Sequence, residues 1–185
     1  MIASVFSKSK PINIIIVSGF MVLALMTVEF KHISFSFKSL SAVALNLGVL
    51  VFSLFVFDFI NSKNNLTAKN SYAILCFGVL ILFSPDTITN PNYLWSNLLV
   101  LFAIRRLISL HSKRRVKKKL FDATFWICLA AIFNPWALLF LILVVLSLVY
   151  YSGTILKHLQ YQFLGYCVWL PLKCVIISLF LTDTF

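Results

Sequence analysis

The sequence predicts an all-α protein, a polytopic transmembrane helical bundle of about six or seven spans, and three observations carry that expectation. Hydrophobic residues fill 61% of the 185 positions and charged residues only 11%, with 19 phenylalanines, against about half and a quarter in soluble domains. The apolar residues are gathered into successive runs. Polar or basic residues close each run, as loops do between membrane crossings. At about 20 residues per crossing of a roughly 30 Å hydrocarbon core, residues 1–185 are filled by such a bundle. They are read as a single integral membrane domain, with no room for a separate soluble one.

A first span is expected over 12–30. Lys8 and Lys10 precede it, as in a signal peptide. The run is longer than a typical apolar signal core, however, and Glu29-Phe30-Lys31 offers no small-residue cleavage site, so the span is read as uncleaved. Pro11 suits the first turn of that helix, where a missing N–H is no loss. A second span over 40–60 is apolar on every side, as a lipid-embedded helix is, and gives way to the polar stretch 61–70. The run 71–83 is shorter, about 20 Å as a helix, and is stopped at Ser84-Pro85-Asp86, where proline breaks the hydrogen-bond ladder.

The run 93–110 carries Arg105 and Arg106 near its far end, where their long stems can reach headgroups. The run 120–133 ends at Asn134-Pro135, because a residue before proline is pushed out of the α region, and 136–151 follows. The last run, 163–181, contains Pro171 and Lys173 near its middle. A short helix, a proline turn and a second helix thus occur around Pro85 and again around Pro135. Paired broken segments mark binding sites at membrane depth in some transporters, but two tight helical hairpins explain the pattern more simply.

The 16 Lys and Arg residues against five acidic ones, for a net charge of +11, lie mainly between the apolar runs. With seven crossings and a cytoplasmic N-terminus, the inner side receives Lys8, Lys10, Lys63, Lys69, Arg105, Arg106, Lys113, Arg114, Arg115, Lys117, Lys118, Lys119 and Lys157. Only Lys31 and Lys38 fall outside, and Lys173 lies within a span. That asymmetry is the positive-inside pattern, and it predicts a membrane protein with the N-terminus in the cytoplasm. Tyr93, Trp95 and Trp136 then fall at the outer interface and Tyr72, Tyr150, Tyr151 and Tyr161 at the inner one. Fusing 120–151 into one kinked span would move only Lys157, so charge does not separate six crossings from seven.

The basic stretch from His111 to Lys119, with Arg105 and Arg106 before it, is the expected contact with lipid headgroups or a phosphate group. Serving as a topology determinant alone would explain the same residues. The stretch is short, lacks interleaved aromatics and is tethered to a bilayer, so nucleic acid is not an expected partner. Asp122 is placed to pair with Arg105 or Arg106 across the hairpin. On the outer side, Glu29 and Asp86 are weak candidates for catalytic residues, with Asn90, Asn92 and Asn134 at a similar depth. Lys173 is an intramembrane charge that needs a partner or a path to the interface, with Asp58 or Asp122 the plausible counter-ions. Cys76, Cys128, Cys167 and Cys174 lie in apolar runs without a CxxC pair or metal-ligand spacing, so neither a metal nor a cofactor is expected.

The opening Met1-Ile2-Ala3-Ser4-Val5-Phe6-Ser7-Lys8-Ser9-Lys10-Pro11-Ile12-Asn13, the central Arg105-Arg106-Leu107-Ile108-Ser109-Leu110, and Lys117-Lys118-Lys119-Leu120-Phe121-Asp122-Ala123 followed by Phe125-Trp126 resemble a family of polytopic bacterial inner-membrane proteins of unknown function. The resemblance runs through most of the chain and supplies no catalytic residue. Members of that family are longer, with spans beyond the equivalent of Leu181, so it implies a shortened member or a partial polypeptide.

Two functions are weighed. The first is a non-catalytic subunit or scaffold of a cell-envelope complex, packing against membrane-protein partners and lipids through small residues such as Ala42, Ala44 and Gly48, or Ala130 and Ala131. The second is an enzyme or transporter handling a polyprenyl-linked sugar or another lipid-phosphate substrate. Glu29 resembles the acidic residue that follows the first span of multi-span glycosyltransferases. The loop 31–38 is too short for the outer loop those enzymes carry, which favours the first reading.

Overall fold

The computed structural model describes residues 6, 11–29, 37–67, 70–84, 87, 90–112 and 114–151. Regular structure among them is entirely helical. The elements are α1 (Pro11–Glu29), α2 (Phe37–Asn64), α3 (Tyr72–Leu82), α4 (Pro91–Ile108), a 3-10 turn (Ser109–Ser112), α5 (Val116–Phe133), a 3-10 segment (Pro135–Phe140) and α6 (Leu141–Tyr151). The expected span 163–181, with Lys173, lies outside the described residues, as do Asp86 and Lys113.

Among the described residues, two helical stretches are long and apolar enough to cross a membrane, Leu40–Asn64 and Pro91–Ser112. The apolar parts of the others, Pro11–Thr27, Tyr72–Leu82 and Pro135–Tyr150, are shorter. Several expected boundaries shift for identifiable reasons. The second run extends to Asn64 because Ser62, Lys63 and Asn64 continue the helix, and the Asn64 amide donates to the Ile60 carbonyl at 2.7 Å. The fourth starts at Pro91, the first-turn position that suits proline. The fifth starts at Val116, so Lys117, Lys118 and Lys119 form its first turn and do not belong to a loop. Lysine is a good helix former, and its charge had concealed that turn.

The chain divides into two compact units, residues 1–101 and 102–185, with the border inside α4. In the first unit, α3 packs against both α1 and α2. The inward stripe of α1 is Asn13, Val17, Met21 and Leu25, and that of α3 is Ile74, Gly78 and Ile81, both at helical spacing. Phe57 of α2 stacks on Phe77 of α3 with centroids 4.6 Å apart. Gly78 sets the approach of α3 to α1, since a Cβ there would lie 2.5 Å from the Val17 Cγ1. The Ser71 N–H donates to the Phe6 carbonyl at 2.9 Å, tying the buried Phe6 to the start of α3.

In the second unit, α5 packs on the 3-10 segment Pro135–Phe140 and on α6. Its core gathers Ala103, Leu107 and Leu110, Leu120, Ala123 and Ile127, and Leu141, Val144 and Leu148. Each trio lies at i, i+3/i+4, i+7 spacing, which puts it on one helix face. Ala130 and Ala131 are fully buried.

The two Asn-Pro dipeptides build the same local structure. Asn90 Oδ1 accepts from the Asn92 N–H and Asn134 Oδ1 from the Trp136 N–H, both at 3.2 Å. The carbonyls of Asn90 and Asn134 accept from the N–H groups of Tyr93 and Ala137 at 3.1 and 3.0 Å. Asn134 is extended, φ −142° and ψ 112°, as steric pressure from a following proline requires. Of the repeat expected around Pro85 and Pro135, Pro85 lies outside the described residues, and the described likeness is between the turns at Pro91 and Pro135.

Candidate headgroup site at a basic helical hairpin

In the second unit the end of α4 and the start of α5 run antiparallel, joined by three side-chain rungs in strict register. Phe102 faces Trp126 with ring centroids 5.2 Å apart. Four residues further along α4 and four back along α5, Arg106 Nε lies 3.3 Å from Asp122 Oδ2. Three more in each direction, Lys119 Nζ donates to the Ser109 carbonyl at 2.5 Å and to Ser112 Oγ at 2.7 Å. The register centres on Arg114. Rungs three and four residues apart are what two helices sharing one facing stripe produce.

The Lys119 rung closes the helix end. The last carbonyls of a helix lack intrahelical donors and carry partial negative charge, so an ammonium bonded to the Ser109 carbonyl satisfies both needs. The hydroxyls of Ser109 and Ser112 donate in turn to the carbonyls of Arg106 and Ser109, at 2.7 and 3.1 Å. The chain then reverses through Arg115, whose φ of 52° and ψ of 44° are left-handed, a conformation that costs a residue with a Cβ about 1–2 kcal/mol.

The expected basic cluster thus separates by position. Arg106 is engaged with Asp122 and Lys119 with Ser109 and Ser112. Arg105, His111, Arg114, Arg115, Lys117 and Lys118 are exposed. Among the described residues, the side chains of Arg114, Arg115 and Lys118 make no hydrogen bond or ion pair. The geometry selects Arg106 from the two arginines expected to meet Asp122. The register was the missing signal, since it depends on where α5 begins.

Of the weak catalytic candidates, only Glu29 falls among the described residues. Glu29 closes α1, while Asp86 and Lys173 lie outside the description. No group of three or more His, Cys, Asp or Glu able to hold a metal occurs among the described residues.

These features define the class: an all-helical protein with apolar helices of membrane-spanning length and a polar-locked, cationic hairpin. The chain belongs to a family of unknown function (DUF6427), whose sequence profile matches residues 1–185. Comparison with curated proteins and with solved structures returned no match.

Proposed function

We propose that this protein is a multi-pass inner-membrane protein, with its N-terminus and basic hairpin in the cytoplasm, serving as a non-catalytic subunit or scaffold of a cell-envelope complex. The observation carrying the membrane part is where the apolar surface lies. Only 33% of the spanning window in Leu40–Asn64 and 44% of that in Pro91–Ser112 is buried, whereas the core helix of a soluble protein would be mostly covered. Phe20, Leu45, Phe52, Phe55, Leu80 and Leu146 are at least half exposed. Apolar surface on that scale needs lipid or other helices around it.

Helix lengths agree with several crossings. At 1.5 Å per α residue and about 2.0 Å per 3-10 residue, α1 is about 28 Å long, α5 about 27 Å of which the part after Lys119 is about 21 Å, and the 3-10 segment with α6 about 28 Å. The 3-10 geometry itself adds about 3 Å to the last of these. α3 is about 16 Å, half a hydrocarbon core, and its packing on α1 and α2 provides the cover that a short segment needs. Trp136 and Tyr150, at opposite ends of the 3-10/α6 rod, are 72% and 81% exposed, as rings anchored at two interfaces would be. Hydroxyls on these helices turn inward to the backbone: Ser18, Thr27, Ser53 and Thr124 each donate to a carbonyl three or four residues earlier.

For the scaffold role, the small residues of α2 are the ones still available. Ala42, Ala44 and Gly48 are exposed, and a Cβ at Gly48 would meet nothing within 4 Å, whereas Ala130 and Ala131 are already covered. Extraction in gentle detergent followed by mass spectrometry of co-purifying proteins tests the reading. A partner present with the wild type and lost with Gly48→Leu supports it. Unchanged recovery with Gly48→Leu, together with loss of function but normal abundance in Glu29→Gln or Asp86→Asn, would replace it with the enzyme or transporter reading.

A further inference from the structure

The three rungs of the α4/α5 hairpin change character in one direction, from an aromatic pair to an ion pair to a lysine bound to a helix-end carbonyl. Beyond the last rung stand the exposed cations of the turn. From the level of Phe102 to Arg106 is about 6 Å along the helix, and to Ser109 about 5 Å more. A bilayer passes from hydrocarbon through headgroups over about 5–8 Å on each side. The step from the aromatic rung to the ion pair therefore has the dimension of the membrane interface, and the Lys119 rung falls at its aqueous edge.

We infer that Arg114, Arg115 and Lys118 form a docking surface for anionic phospholipid headgroups, held at headgroup depth by the Arg106–Asp122 and Lys119–Ser109 rungs. The inference rests on the proposed membrane embedding. Two observations separate these three cations from the rest of the cluster. Arg106 and Lys119 already satisfy a carboxylate and a carbonyl within the hairpin. Arg114, Arg115 and Lys118 are exposed and have no side-chain partner among the described residues. Phosphate oxygens at the same depth supply the complementary charge, and guanidinium groups bind them through paired N–H donors. The left-handed Arg115 turns the chain so that two adjacent arginines sit at the apex, ahead of the first turn of α5.

The test uses the full chain in a mild detergent, titrated with phosphatidylglycerol or phosphatidylcholine and read by native mass spectrometry. The wild type is expected to prefer phosphatidylglycerol. Arg114→Gln/Arg115→Gln/Lys118→Gln should weaken that binding roughly a hundredfold, given three cations near a charged surface. Arg114→Lys/Arg115→Lys, which keeps the charge, should retain most of it. Arg106→Gln/Asp122→Asn, which removes a neutral pair, should lower the melting temperature and weaken phosphatidylglycerol binding far less than the triple variant does. Phosphatidylglycerol binding unchanged in the triple variant, equal binding of phosphatidylcholine by the wild type, or full displacement of lipid by millimolar inorganic phosphate would each overturn the inference. A chain that stays folded and monodisperse without detergent would instead overturn the embedding on which it rests.

Discussion

The two units are held by different means. In residues 1–101, α1, α2 and α3 meet mainly through apolar side chains and a close approach at Gly78, with Asn13 the polar member of the α1 stripe, so shape does most of the locking. In residues 102–185, an apolar core is supplemented by rungs of opposite polarity between α4 and α5, so chemistry fixes the register as well. A purely apolar interface tolerates sliding by a turn, because one leucine resembles the next. An ion pair and a lysine-to-carbonyl bond lose their partners on such a slide. Polar rungs are placed where one unique register is needed, near a charged turn, and small residues where close approach suffices.

Substitutions sharpen this contrast, beginning with the largest expected effect. Gly78→Leu forces an entire side chain into the space of Val17, whose β-branched χ1 has little freedom to yield. A loss of about 2–3 kcal/mol is expected from overpacking, seen as a lowered melting temperature in detergent. Gly48→Ala, at an open position, should leave the melting temperature within error. Equal effects at the two glycines would contradict close packing as the lock of the first unit.

Lys119→Met removes the donor from the Ser109 carbonyl and Ser112 Oγ while keeping the stem. It should cost about 1–2 kcal/mol, since the donor is charged and partly buried, and should speed amide hydrogen exchange at the end of α4. Arg106 and Asp122 are 49% and 39% exposed, so breaking their pair costs less, about 0.5–1 kcal/mol after solvent screening. A double-mutant cycle with Arg106→Gln and Asp122→Asn should return a coupling of that size. Zero coupling would mean that the ion pair marks the register without stabilising it. Smallest is Arg115→Gly, which relieves the left-handed backbone but adds freedom to the unfolded chain. A gain of about 0.5 kcal/mol is expected, and a clear loss would show that the arginine side chain holds the turn.

Much of this organisation is legible in the sequence because long apolar runs leave few alternatives to helix, and proline positions punctuate them. What escaped was finer. The lysines at 117–119 read as a loop, because in an apolar chain charge marks the ends of runs; their helix propensity decided otherwise. That misplacement hid the register, and with it the reason Asp122 meets Arg106 and not Arg105. The repeated Asn-Pro dipeptide was available to inspection, since asparagine before proline combines a side-chain acceptor with an extended backbone. Glu29 and Asp86 had only their position at run ends to recommend them.

Every role proposed for this chain requires that it be embedded in lipid with its basic hairpin facing the cytoplasm. A single cysteine introduced by Arg115→Cys, in a background with Cys76, Cys128, Cys167 and Cys174 replaced by serine, can be labelled with a membrane-impermeant maleimide on alkali-washed vesicles. Labelling confined to inside-out vesicles is the predicted result. Labelling of right-side-out vesicles, or loss of the protein in the alkaline wash, would contradict it.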